Sequence, residues 1–271
     1  MLILERPWTR QPQGSVGIDW SNPLARDLKN VFCESFGTYD IASGKFWSIT
    51  GSPPASVTYN SRSRDFSQSL GNSYSQLTTT PPAVGWTLAC VITPVSYPGL
   101  ASFFGFAQDV ASATYDRQLQ YGSNSTYIAQ IYDGNSKTAP LSPVDIAVGA
   151  PNLIVLTCTS STLTIHIKGT GKNSASVDNS GYTGYTTPTL VIGKCNNKSE
   201  TSTTRIPLLC RVDRPWSDQE VSTWFANPWQ LFAPLRIPIP TPAAAASAPT
   251  ITALSARLIT ATSAQPRISY S

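Results

Sequence analysis

Charge is what this sequence has least of. Asp, Glu, Lys and Arg together make up 13% of its 271 residues, against roughly 25% in an average soluble domain. The net charge is only +4 and no five basic residues run together, so the electrostatic footprint of a nucleic-acid binder is missing. No apolar run approaches the about 18 residues needed to span a bilayer. The opening Met-Leu-Ile-Leu-Glu-Arg-Pro-Trp has too short an apolar part, and its charge on the wrong side, for a secretory signal. These absences argue against nucleic-acid and membrane partners and for synthesis and folding in a cytosol. There is one histidine, so any device built on a His base must use His166. The five cysteines, at 33, 90, 158, 195 and 210, are an odd set without a C-x-x-C pair or a nearby His, which argues against zinc. Cys90, Cys158 and Cys210 lie in apolar, strand-like stretches and read as buried thiols of a reducing compartment. Gly-rich phosphate loops, zincin motifs and EF-hand loops are also missing, so no cofactor or metal is expected.

Ser, Thr, Pro and Gly are plentiful instead, and aromatics reach 10%, a mixture that suits short strands and many turns rather than helices. Residues 1–30 are polar and irregular apart from scattered Trp and Leu, and read as an arm. From Val31 onward, short apolar pieces alternate with Gly, Ser, Asn and Pro clusters. The clearest strands are expected at Trp86 to Thr93, Leu100 to Gly105, Tyr127 to Tyr132, Asn152 to Thr159 and Ser161 to Lys168. In the last of these, Leu163, Ile165 and Ile167 alternate with Thr162, Thr164 and His166, which predicts one buried and one wet face and makes His166 an exposed strand histidine. With only Ser160-Ser161 between Asn152 to Thr159 and Thr162 to Lys168, these two segments are expected to pair as an antiparallel hairpin.

One helix stands out. Ser217 can cap it while Glu220, three residues on, reaches back to the Ser217 amide. Val221, Trp224 and Phe225 then share a face, and Asn227-Pro228 stops the run. After it comes the Pro/Ala-rich stretch 234–249, a stiff linker with no core of its own, and then 250–271, a strand-prone tail suited to pairing with a sheet edge on a neighbouring subunit. The globular domain is thus expected over residues 31–233.

The succession Trp86-Thr-Leu-Ala-Cys-Val-Ile-Thr, Asn152-Leu-Ile-Val-Leu-Thr-Cys, Thr162-Leu-Thr-Ile-His-Ile-Lys-Gly and Leu190-Val-Ile-Gly resembles the repeating strands of laminin G-like, concanavalin A-like domains. Leu208-Leu-Cys-Arg-Val-Asp-Arg-Pro-Trp-Ser-Asp-Gln-Glu-Val is similar to their final strand and the short helix after it. The likeness covers roughly residues 80–226 and departs near Thr203 to Ile206, where a Gly is usual. It implies an all-β fold, a two-sheet antiparallel jelly-roll sandwich with one short C-terminal helix and extended terminal arms. Three other stretches resemble bacteriophage and prophage proteins: Trp8 to Leu24, Asn227-Pro-Trp-Gln-Leu-Phe-Ala-Pro, and Ala261 to Arg267. This second resemblance implies a structural virion protein, a capsid decoration or head-fibre protein that forms a homo-oligomer through its arms and contacts other virion proteins such as the major capsid protein. The alternative it leaves open is a tail-associated protein that binds a host surface glycan.

Jelly-roll glycosidases carry a Glu-x-Asp-x-x-Glu strand that sets its carboxylates on one face; no such run occurs here. Asp213, Asp218 and Glu220 cluster in sequence, but capping and the helix dipole account for the latter two. Nothing places a nucleophile beside His166, so no catalytic residue is expected. For sugar binding the candidates are Tyr115, Tyr121, Tyr127, Tyr132, Asp133 and Asn135, where rings could stack on a pyranose and side-chain oxygens bond its hydroxyls. The competing reading is that these tyrosines are ordinary strand aromatics filling the core or a subunit contact. Asp133 and Asn135 also carry oxygens of the calcium-binding type, in a pattern too sparse to count as a site.

Overall fold

A computed structural model describes residues 11–12, 16–51, 55–58, 61–66, 74–80, 84–95, 102–107, 115–121, 127–132, 136–140, 148–177, 189–193 and 204–234. In chain order the strands are β1 (Val16–Ile18), β2 (Leu28–Cys33), β3 (Tyr39–Asp40), β4 (Lys45–Phe46), β5 (Ser48–Thr50), β6 (Ala55–Thr58), β7 (Ser61–Phe66), β8 (Tyr74–Thr78), β9 (Trp86–Pro94), β10 (Ser102–Ala107), β11 (Tyr115–Tyr121), β12 (Tyr127–Tyr132), β13 (Ser136–Pro140), β14 (Asn152–Cys158), β15 (Thr162–Ile167), β16 (Gly171–Ser176), β17 (Thr189–Ile192), β18 (Thr204–Val212) and β19 (Phe232–Pro234). The helix α1 (Asp218–Ala226) lies between the last two.

Two antiparallel sheets form the sandwich. One has the order β13-β12-β11-β10-β17-β8-β5; the other runs β16-β15-β14-β9-β18-β7-β6, with β2 also paired to β18. The inner core sits between them, where Leu77, Leu119, Tyr127, Ile131 and Leu190 from the first sheet meet Trp86, Leu88, Leu156, Leu163, Ile165 and Leu209 from the second. Every one of the nine residues of β9 is buried, because the second sheet is covered on its outer face as well. There Ala89, Val91, Val155, Leu208, Cys210 and Val212 pack under Leu24, Trp216, Val221, Trp224, Trp229 and Phe232. A strand buried on both sides reads as a continuous apolar run rather than an alternation, which is the pattern of Trp86 to Thr93. The expected β14–β15 hairpin forms, with Cys158 opposite Leu163. In place of Asn-Gly, the Thr159 hydroxyl accepts the Ser161 and Thr162 amides at 3.3 and 3.0 Å, a side chain standing in for a backbone turn acceptor.

Near Thr203 to Ile206, where the sequence departs from its likeness, β18 carries an irregularity. Its register against β9 shifts between Arg205 and Leu208, and its other edge passes from β7 at Ile206 to β2 at Leu208. Pro207, which has no amide hydrogen to give to a ladder, stands at the changeover.

Residues 16–30, expected as an arm, are instead built into the body. β1 pairs with β19, β2 extends the second sheet, and Val16, Leu24, Ala25 and Leu28 are buried. Their apolar side chains are too widely spaced to show a periodicity, yet each fills the outer layer over the sheet. The body ends at Leu235. The linker and tail expected beyond it lie outside the described residues.

The helix forms as its sequence predicts. Ser217 Oγ accepts the Glu220 amide and Glu220 Oε2 accepts the Ser217 amide. Val221 and Trp224 are buried beneath it. Asn227 Oδ1 then accepts the Trp229 amide and starts a short 3-10 turn at Pro228. In front of the helix, Gly85 has no room for a side chain: a Cβ there would lie 2.7 Å from Pro215 Cδ.

Candidate functional site

Helix α1 lies over the second sheet as a ridge, with a depression along each flank. On the β15–β16 side the depression has a volume of about 320 Å³ and is lined by His166, Gly169, Gly171, Lys172, Asp218, Val221, Ser222 and Phe225. Helical spacing puts Asp218, Val221, Ser222 and Phe225 on this flank, since they stand at i, i+3, i+4 and i+7. The turn below it needs Gly171, whose φ is +112°, a conformation that L side chains rarely adopt.

The chemistry of this groove is mixed. Lys172 Nζ donates to Asp218 Oδ2 at 2.5 Å, and both side chains stay more than half exposed. The hydrogen bond from Lys172 holds the Asp218 carboxyl below its ordinary pKa. His166 lies at the bottom with 6% of its surface exposed, not in open solvent as its polar strand face implied, because α1 covers that face. Burial pushes its pKa down, against an upward pull from Asp218. Its Nε2 is 3.2 Å from Thr157 Oγ1 and its Nδ1 is 4.0 Å from Asp218 Oδ1. Among the described residues Nδ1 has no hydrogen-bond partner.

Thr157, His166 and Asp218 stand in the order of a nucleophile–base–acid relay, but they do not make one. Thr157 is buried beneath the imidazole, out of reach of a substrate, and 4.0 Å is too long for the hydrogen bond that would orient a catalytic ring. The three carboxylates that cluster in sequence are separated by their partners: Asp213 with Arg211, Glu220 with Arg214 and Asp218 with Lys172. Burial pulls the Glu220 pKa up, yet the hydrogen bonds from Arg214 and Ser217 outweigh it and hold the carboxyl below its usual value. The arrangement suits holding a polar ligand: a carboxylate, an ammonium and a hydroxyl within one shallow groove, beside the half-buried ring of Phe225. Among the described residues no three His, Cys, Asp or Glu side chains come together as a metal site.

The depression on the other flank is larger, about 520 Å³, and is lined by Asp19, Asn22, Leu24, Gln219, Glu220, Thr223, Gln230 and Phe232, with Pro23, Ala233 and Pro234 completing it. Its wall is stitched together by the Asp19 amide on the Leu231 carbonyl at 2.8 Å and by Asn22 Nδ2 on the Gln230 carbonyl at 2.9 Å. Asp19 Oδ1 accepts from Ser21. Among the described residues its Oδ2, and Gln230 Oε1, have no protein donor.

The tyrosines singled out in the sequence belong to the opposite sheet. Tyr127 is fully buried in the inner core, which corrects its assignment to a sugar-facing surface: on β12 it alternates in step with Ala129 and Ile131, and all three point inward. Tyr115 and Tyr121 fall on β11 and Tyr132 on β12, with Tyr121 opposite Tyr127 and Tyr132 opposite Ser136. Asp133 and Asn135 lie outside the described residues. Tyr127 lines neither depression beside α1. A separate pair of exposed rings, Tyr39 and Phe46, meets on the β3–β4 hairpin at 5.1 Å, above a turn tied down by the buried Asp40 carboxylate.

No protein-family model and no curated protein matches this sequence. Solved structures do share its architecture. Domain 4 of AbnA, a GH43 extracellular arabinanase from Geobacillus stearothermophilus solved in complex with arabinotriose, aligns with a TM-score of 0.61 at 13% identity, over 74% of this chain and 98% of that domain. The binding domain of Paraclostridial Mosquitocidal Protein 1 aligns at 0.60 and 13% identity. The binding domain of botulinum neurotoxin DC, in complex with SialylT, aligns at 0.55 and 13%. In both toxin cases 74% of this chain corresponds to 52% of the other. At such identities the likeness establishes the fold: an all-β jelly-roll sandwich of the kind these binding domains use.

Proposed function

We propose that this chain is a non-enzymatic carbohydrate-binding sandwich whose reading site is the groove of His166, Lys172, Asp218, Ser222 and Phe225. The observation that carries the proposal is the composition of that groove: an exposed carboxylate and ammonium paired with each other, an imidazole whose Nδ1 faces the carboxylate at 4.0 Å, and an aromatic ring on the same helix flank. Vicinal hydroxyls can bond such a carboxylate and ammonium together, while the C–H face of a pyranose packs on the ring. The fold is in keeping with this reading, since the aligned arabinanase domain was solved with arabinotriose and the toxin domain with SialylT.

Affinity electrophoresis against arabinan, capsular polysaccharides and lipopolysaccharide O-chains tests it. Retardation of the full chain that is lost in Asp218→Ala and weakened in Phe225→Ala supports the groove. Retardation lost instead in Tyr121→Ala or Tyr132→Ala moves the site to the first sheet, where the sequence had put it, and loss in Phe46→Ala moves it to the β3–β4 hairpin. Calcium on Asp133 and Asn135 enters only under the first of those two outcomes.

The setting we propose is a bacteriophage particle, in which the chain is a decoration, head-fibre or tail-associated protein forming a homo-oligomer. Its support is the resemblance of three sequence stretches to phage proteins. Two of them, around residues 16–24 and 227–234, pair with each other as β1 and β19. Cryo-electron microscopy of particles that carry the chain, compared with particles assembled from a variant ending at residue 235, tests this. Unchanged decoration by the shortened chain would sink the expectation that the tail makes the subunit contacts.

A further inference from the structure

The two depressions beside α1 share a wall. Asp218, Val221, Ser222 and Phe225 face one of them, and Gln219, Glu220 and Thr223 face the other, so the helix alone separates the two cavities. Among the described residues nothing long or basic crosses its crest. Asp218, Gln219, Ser222 and Thr223 are all exposed there, and none of them is a long basic side chain that would lie across it. The far cavity offers complementary chemistry: oxygen acceptors at Asp19 Oδ2 and Gln230 Oε1, and an apolar floor from Leu24 and Phe232. Trp20, next to Asp19 in the chain, keeps 60% of its surface in solvent.

We infer that the ligand is an oligosaccharide chain that crosses α1, seated at one end in the His166–Asp218 groove and at the other in the Asp19–Gln230 cavity. This rests on the carbohydrate reading of the groove and adds a length requirement to it. A helix with its side chains is about 10 Å across, wider than one pyranose ring, so a single sugar fills one depression and only a chain of several rings reaches both. Donor hydroxyls of the distal sugars bond Asp19 and Gln230, and their C–H faces lie on the exposed rings of Pro23 and Pro234. The hydroxyls of Ser222 and Thr223 and the Gln219 amide meet the rings between.

The test uses the full chain and a fragment ladder, from monosaccharide to hexasaccharide, prepared from whichever of the polysaccharides above retards it, with affinities read by calorimetry. Affinity is expected to rise about tenfold or more once the fragment spans the helix, the equivalent of about 1.4 kcal/mol. Asp19→Asn keeps the Oδ1 acceptor that holds Ser21, removes the open carboxylate oxygen, and is expected to abolish that rise while leaving the short fragments unchanged. Thr223→Tyr, a bulky obstacle on the exposed crest, is expected to do the same without touching either floor. Asp218→Ala is expected to weaken every length. Affinity that is flat with length while Asp218→Ala still abolishes it would overturn the crossing and leave the groove standing. Absence of binding to any polysaccharide or fragment would overturn both.

Discussion

Removal of the Asp213 carboxylate is expected to expose how the two sheets are fastened at one end. Arg211 of β18 is fully buried; its alternation with Leu209 points it into the space between the sheets, where a hydrophobic residue would ordinarily stand. Its Nε and Nη2 donate to Asp213 Oδ1 at 3.0 and 2.7 Å. Nη1 donates to Thr79 Oγ1 at 2.7 Å and to the Thr80 carbonyl at 2.8 Å, just past the end of β8 in the other sheet, and to Asn30 Oδ1 at 3.3 Å. In Asp213→Ala the guanidinium keeps these neutral acceptors and loses two charge-assisted bonds. Breaking a buried ion pair by removing one partner costs roughly 3–5 kcal/mol. Because the Asp213 side chain is itself 15% exposed, the low end applies, about 3 kcal/mol. In a domain of this size each kcal/mol shifts Tm by roughly 2–4 °C, so calorimetry should show a fall of about 6–12 °C, with a lower urea midpoint at unchanged slope. The double variant Arg211→Met/Asp213→Ala removes both charges and is expected to be more stable than Asp213→Ala alone. A Tm loss below about 2 °C in the single variant, or a double variant less stable than the single, would refute the reasoning, since the buried guanidinium would then have no need of its carboxylate.

Three further outcomes follow from the packing and the protonation states. Gly85→Ala pushes a methyl against the rigid Pro215 ring and should cost about 1–3 kcal/mol by overpacking, read as a lower denaturation midpoint; an unchanged midpoint would mean that the approach of Pro215 is not fixed. The folded state holds the His166 pKa below its unfolded value of 6.5, so His166 binds fewer protons folded than unfolded as pH drops through that region. Its contribution to stability is therefore complete above pH 6.5 and lost as the pH falls through the lowered folded pKa. Denaturation midpoints of the wild type and His166→Gln should diverge less at pH 5 than at pH 7.5, and a wild type that gains stability on acidification relative to the variant would reverse the sign. Burial pushes the Cys33 thiol up to about 12 and those of Cys90 and Cys210 well above their ordinary value. In a Cys195→Ser background these three should not react with a disulfide reagent at pH 8 until the protein is unfolded, and rapid native labelling at any of them would contradict the burial.

Much of the fold is legible in the sequence. Strict alternation at Leu163, Ile165 and Ile167 identifies an inner face, and the unbroken apolar run of β9 identifies a strand covered on both sides. The Ser217-x-x-Glu220 box locates the helix to the residue. These features are written locally, because strand period, helix capping and turn chemistry depend on neighbours a few positions away. The candidate site was not legible in this way. His166, Lys172, Asp218 and Phe225 come from a hairpin and a helix separated by some forty residues of chain; the sequence shows three of them only as a strand histidine, a capping acid and a core aromatic, and does not single out Lys172. Tyr127 misled in the other direction: it has the composition of a sugar platform, but its strand parity gives it to the core.

The sequence by itself therefore determined the class of structure: short antiparallel strands, a capped helix after the last long strand, and buried thiols at Cys90, Cys158 and Cys210. The tertiary structure alone decided which faces stay wet. Only when residues 16–30 and α1 close over the second sheet does the polar face of β15 become the floor of a groove, because a helix laid on a sheet buries the stripe beneath it and leaves a channel along each flank.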